Sequence, residues 1–339
     1  MGFHYYGCNS TSCSYKEKVY HSCRNRHCPN CGNSKKEEWI ESRLRELLPC
    51  KYYHVVFTLP HQLNSLILGN RKELFDLLFS ATSYTLLKFS KDEQYMGAQP
   101  GITSVLHTWG QQLSFHPHMH CIVSGGGTNE ANEWKEAKKC KYGSLFPVQA
   151  MAPVFKAYFL KHLRKLKTDG KLRLSYQQEQ QWKGFLDELF SITWILYAKQ
   201  PIGGPQQVVE YLARYTHKVA ISNHRMQQVD EQGNVTFTYK DYADGKKKKE
   251  MTLPAKEFIR RFEQRILPYR YCKIRHYGYL GNNRRKRKVN EILAKMKLPK
   301  YPKDTSLSTT RFQSTQSRTK KPRETTARAF FTRLFRLLC

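Results

Sequence analysis

Acidic side chains are scarce in this 339-residue chain: 27 Asp and Glu stand against 58 Lys and Arg, a net charge of +31. An excess of that size goes far beyond what solubility requires and faces a polyanion, with nucleic acid the favoured one. Long apolar runs are also lacking. None approaches the ~18 residues that a membrane-spanning helix needs, which excludes a membrane partner through a helical span. The start, Met1-Gly2-Phe3-His4, has no charged segment leading into an apolar stretch, so a cytoplasmic rather than exported protein is expected. No internal repeat is present, and Gly125 to Gly127 lack the spacing of a nucleotide-binding fingerprint, reading instead as a turn that closes a strand.

What is present excludes wholesale disorder. Apolar residues make up 40% and aromatics 13%, including 21 Tyr and 18 Phe, enough to bury a core. At about 150 residues per domain, the length gives two domains plus extensions. The charge is uneven: residues 270 to 339 hold 20 basic and 3 acidic side chains, residues 1 to 50 only 8 and 5. Five of the ten cysteines fall between Cys8 and Cys31, and the other five are scattered. In a reducing compartment such a cluster holds metal more often than it forms disulfides.

Ser34 to Leu48 patterns as an amphipathic helix stopped by Pro49, and Tyr52 to Leu59 as a buried strand. A helical stretch follows through Leu87, then strands at Thr103 to Thr108 and Leu113 to Ser124. Residues 153 to 198 read as mainly helical, broken at Pro201-Ile-Gly-Gly-Pro205. Helix resumes from Gln206 through Tyr215, Thr236 to Tyr242 pairs with Glu250 to Leu253 as a hairpin, and Ala255 to Ile266 is helical. The Ser/Thr/Lys/Arg composition beyond Pro302 reads as a disordered basic tail.

Three clusters carry chemistry. The first is Cys8-x4-Cys13-x9-Cys23-x4-Cys28-x2-Cys31, with His21 and His27 nearby. Zn²⁺ takes four thiolate or imidazole ligands in a tetrahedron, and the Cys28-Pro-Asn-Cys31 knuckle supplies two from one tight turn. Cys8, Cys13, Cys28 and Cys31 are the favoured four, with Cys23 a substitute or part of a second site. The second is Phe115-His-Pro-His-Met-His-Cys-Ile-Val123, where strand alternation points His116, His118 and His120 to one face. Three histidines on one strand face make a poor core and a good metal site. Pro117 cannot donate to a ladder, so His118 and His120 are the firmer ligands, and His54, His107 and His116 all remain candidates for a third. The third is Glu210-Tyr-Leu-Ala-Arg-Tyr215, whose tyrosines share a helix face with Cβ atoms about 5 to 6 Å apart. A phenol with a pKa of about 10 needs a metal or basic neighbour to become a nucleophile.

In this order the pieces resemble the HUH-type rolling-circle transposases of the Insertion Sequence 91 family. The resemblance rests on SCRNRHCPNCG at 22 to 32, YHVVFTLPHQLN at 53 to 64, HTWGQQLSFHPHMHCIVSGGG at 107 to 127, YLARYTHKVAISNHR at 211 to 225 and KIRHYGYLGNNRRK at 273 to 286. It implies an α+β fold: a zinc-binding module over residues 1–48, an HUH endonuclease core of antiparallel sheet and flanking helices over 50–270, a basic DNA-binding segment over 271–302 and the basic tail over 303–339. It implies nucleophiles at Tyr211 and Tyr215, a catalytic Mg²⁺ or Mn²⁺ on His118 and His120 with His116 as a further candidate, and structural Zn²⁺. His217 and His224 follow the nucleophile helix, where contact to a phosphate or to the ligands competes with plain solvation.

The implied partner is single-stranded DNA at transposon ends and target, in a prokaryotic, nucleoid-associated protein whose oligomeric state the sequence leaves open. Arg24, Arg26, Arg214, Lys218, Arg284, Arg285 and Lys286 are the candidate phosphate contacts, with the Lys246 to Lys249 run at a hairpin tip. In the resembled family a helical segment usually precedes the zinc module, whereas Met1 opens almost directly onto it here, so either a late start or a truncated copy is expected. A truncated copy or regulator that binds DNA without cutting is therefore one rival, and a replication initiator or relaxase the other. Purified protein is expected to contain stoichiometric zinc by metal analysis and to lose structure on chelation, read by circular dichroism. Zinc-free protein that ignores the chelator contradicts the cysteine assignment.

Overall fold

The computed structural model describes residues 3–7, 16–20, 43, 46–138, 143–202, 207, 221–222, 225–242, 244–281 and 285–299. The chain divides into two compact units, each discontinuous in sequence: one comprises residues 1–39, 217–259 and 317–339, the other residues 40–216 and 260–316. The expected helices at Ser34 to Leu48 and Gln206 to Tyr215 fall mostly outside the described residues, and the tail beyond Pro302 wholly so.

In the first unit, β1 (Phe3–Gly7) pairs antiparallel with β2 (Lys16–Tyr20). The larger sheet of the second unit begins with β3 (Tyr52–Thr58), followed by α1 (Asn64–Gly69) and α2 (Arg71–Lys91). Next come β4 (Gln99–Trp109), β5 (Phe115–Thr128) and the short β6 (Trp134–Glu136), then α3 (Val148–Thr168), α4 (Tyr176–Gln180), α5 (Trp182–Ser191) and β7 (Leu196–Ile202). The first unit resumes with β8 (Met226–Val229), β9 (Asn234–Asp241) and β10 (Lys247–Pro254), a three-stranded antiparallel sheet in order β10-β9-β8. Val235, Phe237 and Phe258 are buried there, with the two phenyl rings 5.8 Å apart. The unit boundary falls within α6 (Ala255–Glu263), after which β11 (Ile274–Gly278) and α7 (Arg285–Lys295) belong to the second unit.

The large sheet runs β11-β4-β5-β3-β7, antiparallel at every step, with β6 attached to β5. Its two faces are chemically distinct. Val55 and Phe57 of β3, Ile102 and Leu106 of β4, and Met119, Cys121 and Val123 of β5 enter one apolar core. The helices above them complete it: Leu74, Phe75, Leu78 and Phe79 from α2, and Phe155, Phe159, Leu160 and Leu163 from α3. The α3 spacing of four and eight residues places Phe155, Phe159 and Leu163 on one stripe. Trp194 closes that layer with its ring 5.6 Å from Phe155 and 5.4 Å from Phe159. Residues on the opposite face of β3, β4 and β5 are the histidines and their neighbours.

Several elements differ from the sequence pattern for identifiable reasons. Leu196 to Ile202 forms an edge strand rather than the end of a helical stretch, because Val55, Val56 and Phe57 of β3 offer it a ladder that local propensity could not anticipate. Ile274 to Gly278, in the basic segment, is the opposite edge strand, paired along β4 from Val105 to Gly101. Gly125 to Gly127 continues β5 instead of turning. A Cβ on Gly126 would lie 2.4 Å from the Trp134 ring and one on Gly127 2.5 Å from the Gln99 carbonyl, so glycine there lets three strands close up. After β11, Tyr279, Leu280, Val289, Ile292 and Leu293 bury a small cluster against Leu48, which ties α7 to the chain entering the sheet.

Gly278 has φ +66° and an added Cβ would meet the Pro100 carbonyl oxygen at 1.6 Å. Gly278→Ala is therefore expected to lower stability by roughly 2 kcal/mol or more in urea unfolding, combining a left-handed backbone with a backbone clash. A shift within about 0.5 kcal/mol would contradict this account of the β11 edge.

Candidate metal centre

Register decides which histidines meet. In the β4–β5 pairing His107 faces His118 and Val105 faces His120, while in the β3–β5 pairing Thr58 faces His118 and Val56 faces His120. Alternation then sends His118 and His120 to the face away from the apolar core, and the facing position of β4 adds His107 to the same side. Potential ligand atoms of His107, His118 and His120 all lie within 4.8 Å of one another. The rings of His118 and His120 stand 4.8 Å apart at 74°, and His107 makes near-perpendicular contacts of 5.4 Å and 4.7 Å with them. His107 is itself stacked on Trp109 at 4.8 Å.

Hydrogen bonds set the tautomers. His118 Nδ1–H donates to the His116 carbonyl at 2.7 Å, which places its lone pair on Nε2. His120 Nδ1 lies 2.9 Å from His54 Nε2, and with His120 as donor its lone pair is likewise on Nε2. His54 is buried and stacked against His120 at 5.1 Å, so its contact with the cluster runs through His120. His116 stands outside the three-residue group, its ring 5.2 Å from His118. Of the three candidates for a third ligand, His107 is thus the one the fold brings in. Desolvation pushes His118 down to about 4 and lowers His116 also, so both are neutral at physiological pH. Three clustered imidazoles, with the His116 carbonyl behind one and the His54 imidazole behind another, fit a divalent cation well.

The other candidate residues are placed unevenly. Tyr211, Tyr215, Arg214, Lys218, His217, His224, Arg24, Arg26, Arg284 and the cysteines Cys8, Cys13, Cys23, Cys28 and Cys31 lie outside the described residues. Arg285 pairs with Glu46 at 2.9 Å and is only 23% exposed, so this candidate phosphate contact is engaged within the fold. Arg43 also pairs with Glu46 at 2.8 Å and reaches His276 Nε2 at 3.3 Å. Desolvation raises the pKa of Glu46 against the pull of Arg43, Arg285 and Lys286. Burial, reinforced by the Arg43 and Arg285 charges, pushes His276 down to about 3. Lys286 remains exposed. Sequence reasoning did not find this network, because no spacing rule connects residues 43, 46, 276 and 285.

The site is thus a His-hydrophobic-His pair on the central strand of an antiparallel sheet that is backed by helices on its other face. Residues 101–288 match the family described as putative transposase, and residues 1–59 match the transposase zinc-binding domain. A putative transposase of Sinorhizobium fredii is 40% identical over 295 residues, 85% of this chain and 73% of that protein. The transposase for insertion sequence element IS801 of Pseudomonas savastanoi pv. phaseolicola is 28% identical over 286 residues, 83% of this chain and 67% of that one. The chain belongs to the Insertion Sequence 91 family of transposases. A solved structure of the conjugative relaxase TrwC with oriT DNA overlaps 49% of this chain and 64% of its own at 16% identity and a TM-score of 0.28. No described helix is long and apolar enough to cross a membrane.

The folded pKa of His118, about 4, lies below the 6.5 of an unfolded histidine. Between those values the unfolded chain binds the proton that the folded chain refuses, so metal-free protein is expected to be fully stable above about pH 6.5 and to lose stability as pH falls toward 4. His118→Gln should flatten that part of the stability profile, measured by urea unfolding at stepped pH. An unchanged slope would mean that His118 is not buried neutral.

Proposed function

We propose that the chain cuts and rejoins single-stranded DNA by tyrosine transesterification during rolling-circle transposition. The convergence of three imidazoles, His118 and His120 from the central strand and His107 from its neighbour, on one face of the sheet is the observation that supports this reading most. His107, His118 and His120 would hold the catalytic cation, with His54 and the His116 carbonyl fixing the ring orientations. When bound there, a divalent cation would supply Lewis-acid polarisation of the scissile phosphate and stabilise the leaving 3′-oxygen. The group of three contains no carboxylate, a donor set that suits a transition ion, Mn²⁺ rather than Mg²⁺.

The phenol oxygen of Tyr211 or Tyr215, having lost its proton, attacks phosphorus in line. The bond from phosphorus to the 3′-oxygen breaks, that oxygen takes up a proton, and the strand's 5′-phosphate remains on tyrosine. A later 3′-hydroxyl reverses the exchange and joins strands, since the phosphotyrosine bond keeps the phosphodiester energy. Two tyrosines would let one protomer hold one end while it opens another. Arg24, Arg26, Arg214, Lys218, Arg284 and Lys286 are proposed to contact backbone phosphates, and Zn²⁺ on the amino-terminal cysteines to hold that module folded.

The test is incubation of purified protein with Mn²⁺ and labelled single strands tiling the element's ends, followed by denaturing electrophoresis. A covalent adduct is expected. It should disappear in the Tyr211→Phe/Tyr215→Phe double variant and fall by about 10²-fold or more in His107→Ala or His118→Ala. Full adduct formation by the double variant would sink the nucleophile assignment. Salt-sensitive DNA binding without any adduct would instead identify a binding protein that no longer cuts.

A further inference from the structure

The histidine face of the sheet continues past β3 onto the edge strand. Val56 faces His120 on one side and Tyr197 on the other, so Tyr197 lies two strands from His120 on the same face. At ~4.8 Å per strand that separation is about 10 Å. Leu196 faces Phe57 and turns into the apolar core, and Thr58 N–H donates to the Ile195 carbonyl at 3.2 Å, which puts Ile195 beside Tyr197 on the histidine side. Tyr197 is 54% exposed and Ile195 68%. The other large apolar side chains exposed among the described residues, Tyr84, Tyr176, Phe190, Tyr242 and Tyr269, sit on helices or turns.

Tyr197 and Ile195 thus present adjacent aromatic and β-branched surface at the β7 end of the described sheet. That exposed surface, on the same face as the histidine cluster, fits a ligand with a flat apolar face. The chain's charge of +31 selects an anionic one. An unpaired nucleotide has both properties: a phosphate for the cation site and a base whose ring stacks on a phenol.

We propose that Tyr197, flanked by Ile195, is the stacking platform for an unpaired base next to the phosphate held at the histidine cluster. This rests on the nuclease reading above and names how that site grips its substrate. Stacking is indifferent to base identity, so the platform supplies affinity and keeps the strand extended across β3 instead of selecting sequence. A duplex cannot offer an exposed ring there, so the platform also favours single strands.

The test measures binding by fluorescence anisotropy without added divalent cation and without chelator, so that the zinc module stays intact, with two labelled probes: a 15-nucleotide oligothymidylate and the same backbone made abasic. Tyr197→Ala is expected to raise the dissociation constant for oligothymidylate by about 5- to 100-fold and to leave abasic binding unchanged, while Tyr197→Phe and Tyr197→Trp stay within about twofold of wild type. Equal weakening on both probes, or no weakening on either, overturns the platform. So does a Tyr197→Ala variant with wild-type DNA binding and an altered oligomeric state, which would assign the patch to a second copy of the chain. The adduct assay runs in parallel. A wild type that forms no adduct while Tyr197→Ala still loses base-dependent binding sinks the nuclease reading and leaves the platform standing as a DNA-gripping device.

Discussion

Everything at the centre depends on the two-residue alternation of β5. Met119, Cys121 and Val123 are each 0% exposed, locked beneath α2 and α3. A one-residue slip would drive His118 and His120 into that core and expose the apolar set, an exchange costing roughly 1.5–3 kcal/mol per apolar side chain before any histidine is desolvated. The core therefore fixes the register, and the register fixes the imidazoles. His107 follows because β4 is bound by the same rule, with Ile102 and Leu106 in the core and His107 facing His118. The metal-ready geometry is a by-product of burial on the opposite face, which explains how it can be rigid without a ligand to organise it.

Electrostatics divides the histidine face into two regions. Around His118 burial keeps the imidazole neutral and the His116 carbonyl accepts its Nδ1 proton, while His120 is hydrogen-bonded to His54, so a cation can approach His118 without a competing proton. Further along the same face, His276 on β11 faces Thr103 of β4, with Thr103 Oγ1 3.0 Å from its Nδ1. There the cations are already in place: Arg43 and Arg285 flank the buried Glu46, and a second net positive charge on His276 is unfavourable. One end of the face is thus prepared to receive positive charge and the other is saturated with it. A buried Arg–Glu–Arg arrangement contributes little net stability compared with apolar packing, but removing one partner strands the others. Its consequence here is that the segment before β3 and the helix after β11 are fastened to each other and to the sheet.

The sequence made β3, the histidine strand and the β9–β10 hairpin legible, since each has strong alternation bounded by Pro or Gly. It also made the His118–His120 pair legible, because two histidines separated by one residue on a strand have to share a face. The third histidine was not, although His107 was among three candidates. Choosing it required the β4–β5 register, which depends on a five-residue connection whose Leu113 adopts φ 61°, a conformation that sequence rules assign to glycine or asparagine. The two edge strands were missed for a related reason. Leu196 to Ile202 and Ile274 to Gly278 are stabilised by ladders to residues more than a hundred positions away, and nothing in their local composition reports a partner. The Gly125–Gly127 run misled because glycine signals both a turn and a close approach, and only the presence of Trp134 and Gln99 distinguishes the two.

The strand order has a further consequence for how substrate can reach the centre. β5 is flanked on both sides by β4 and β3, so a single strand bound as proposed would lie across the sheet, over side chains. On the β11 side that route meets the half-buried cluster of Arg43, Glu46, His276 and Arg285, closed by mutual pairing. On the β7 side it meets Val56, Thr58, Ile195 and Tyr197, none of them fully buried. Among the described residues, a single strand bound as proposed, with its phosphate at His107, His118 and His120, would find apolar surface for its bases toward β7. In that proposal the direction of approach follows from which side of the described sheet its own ion pairs already occupy.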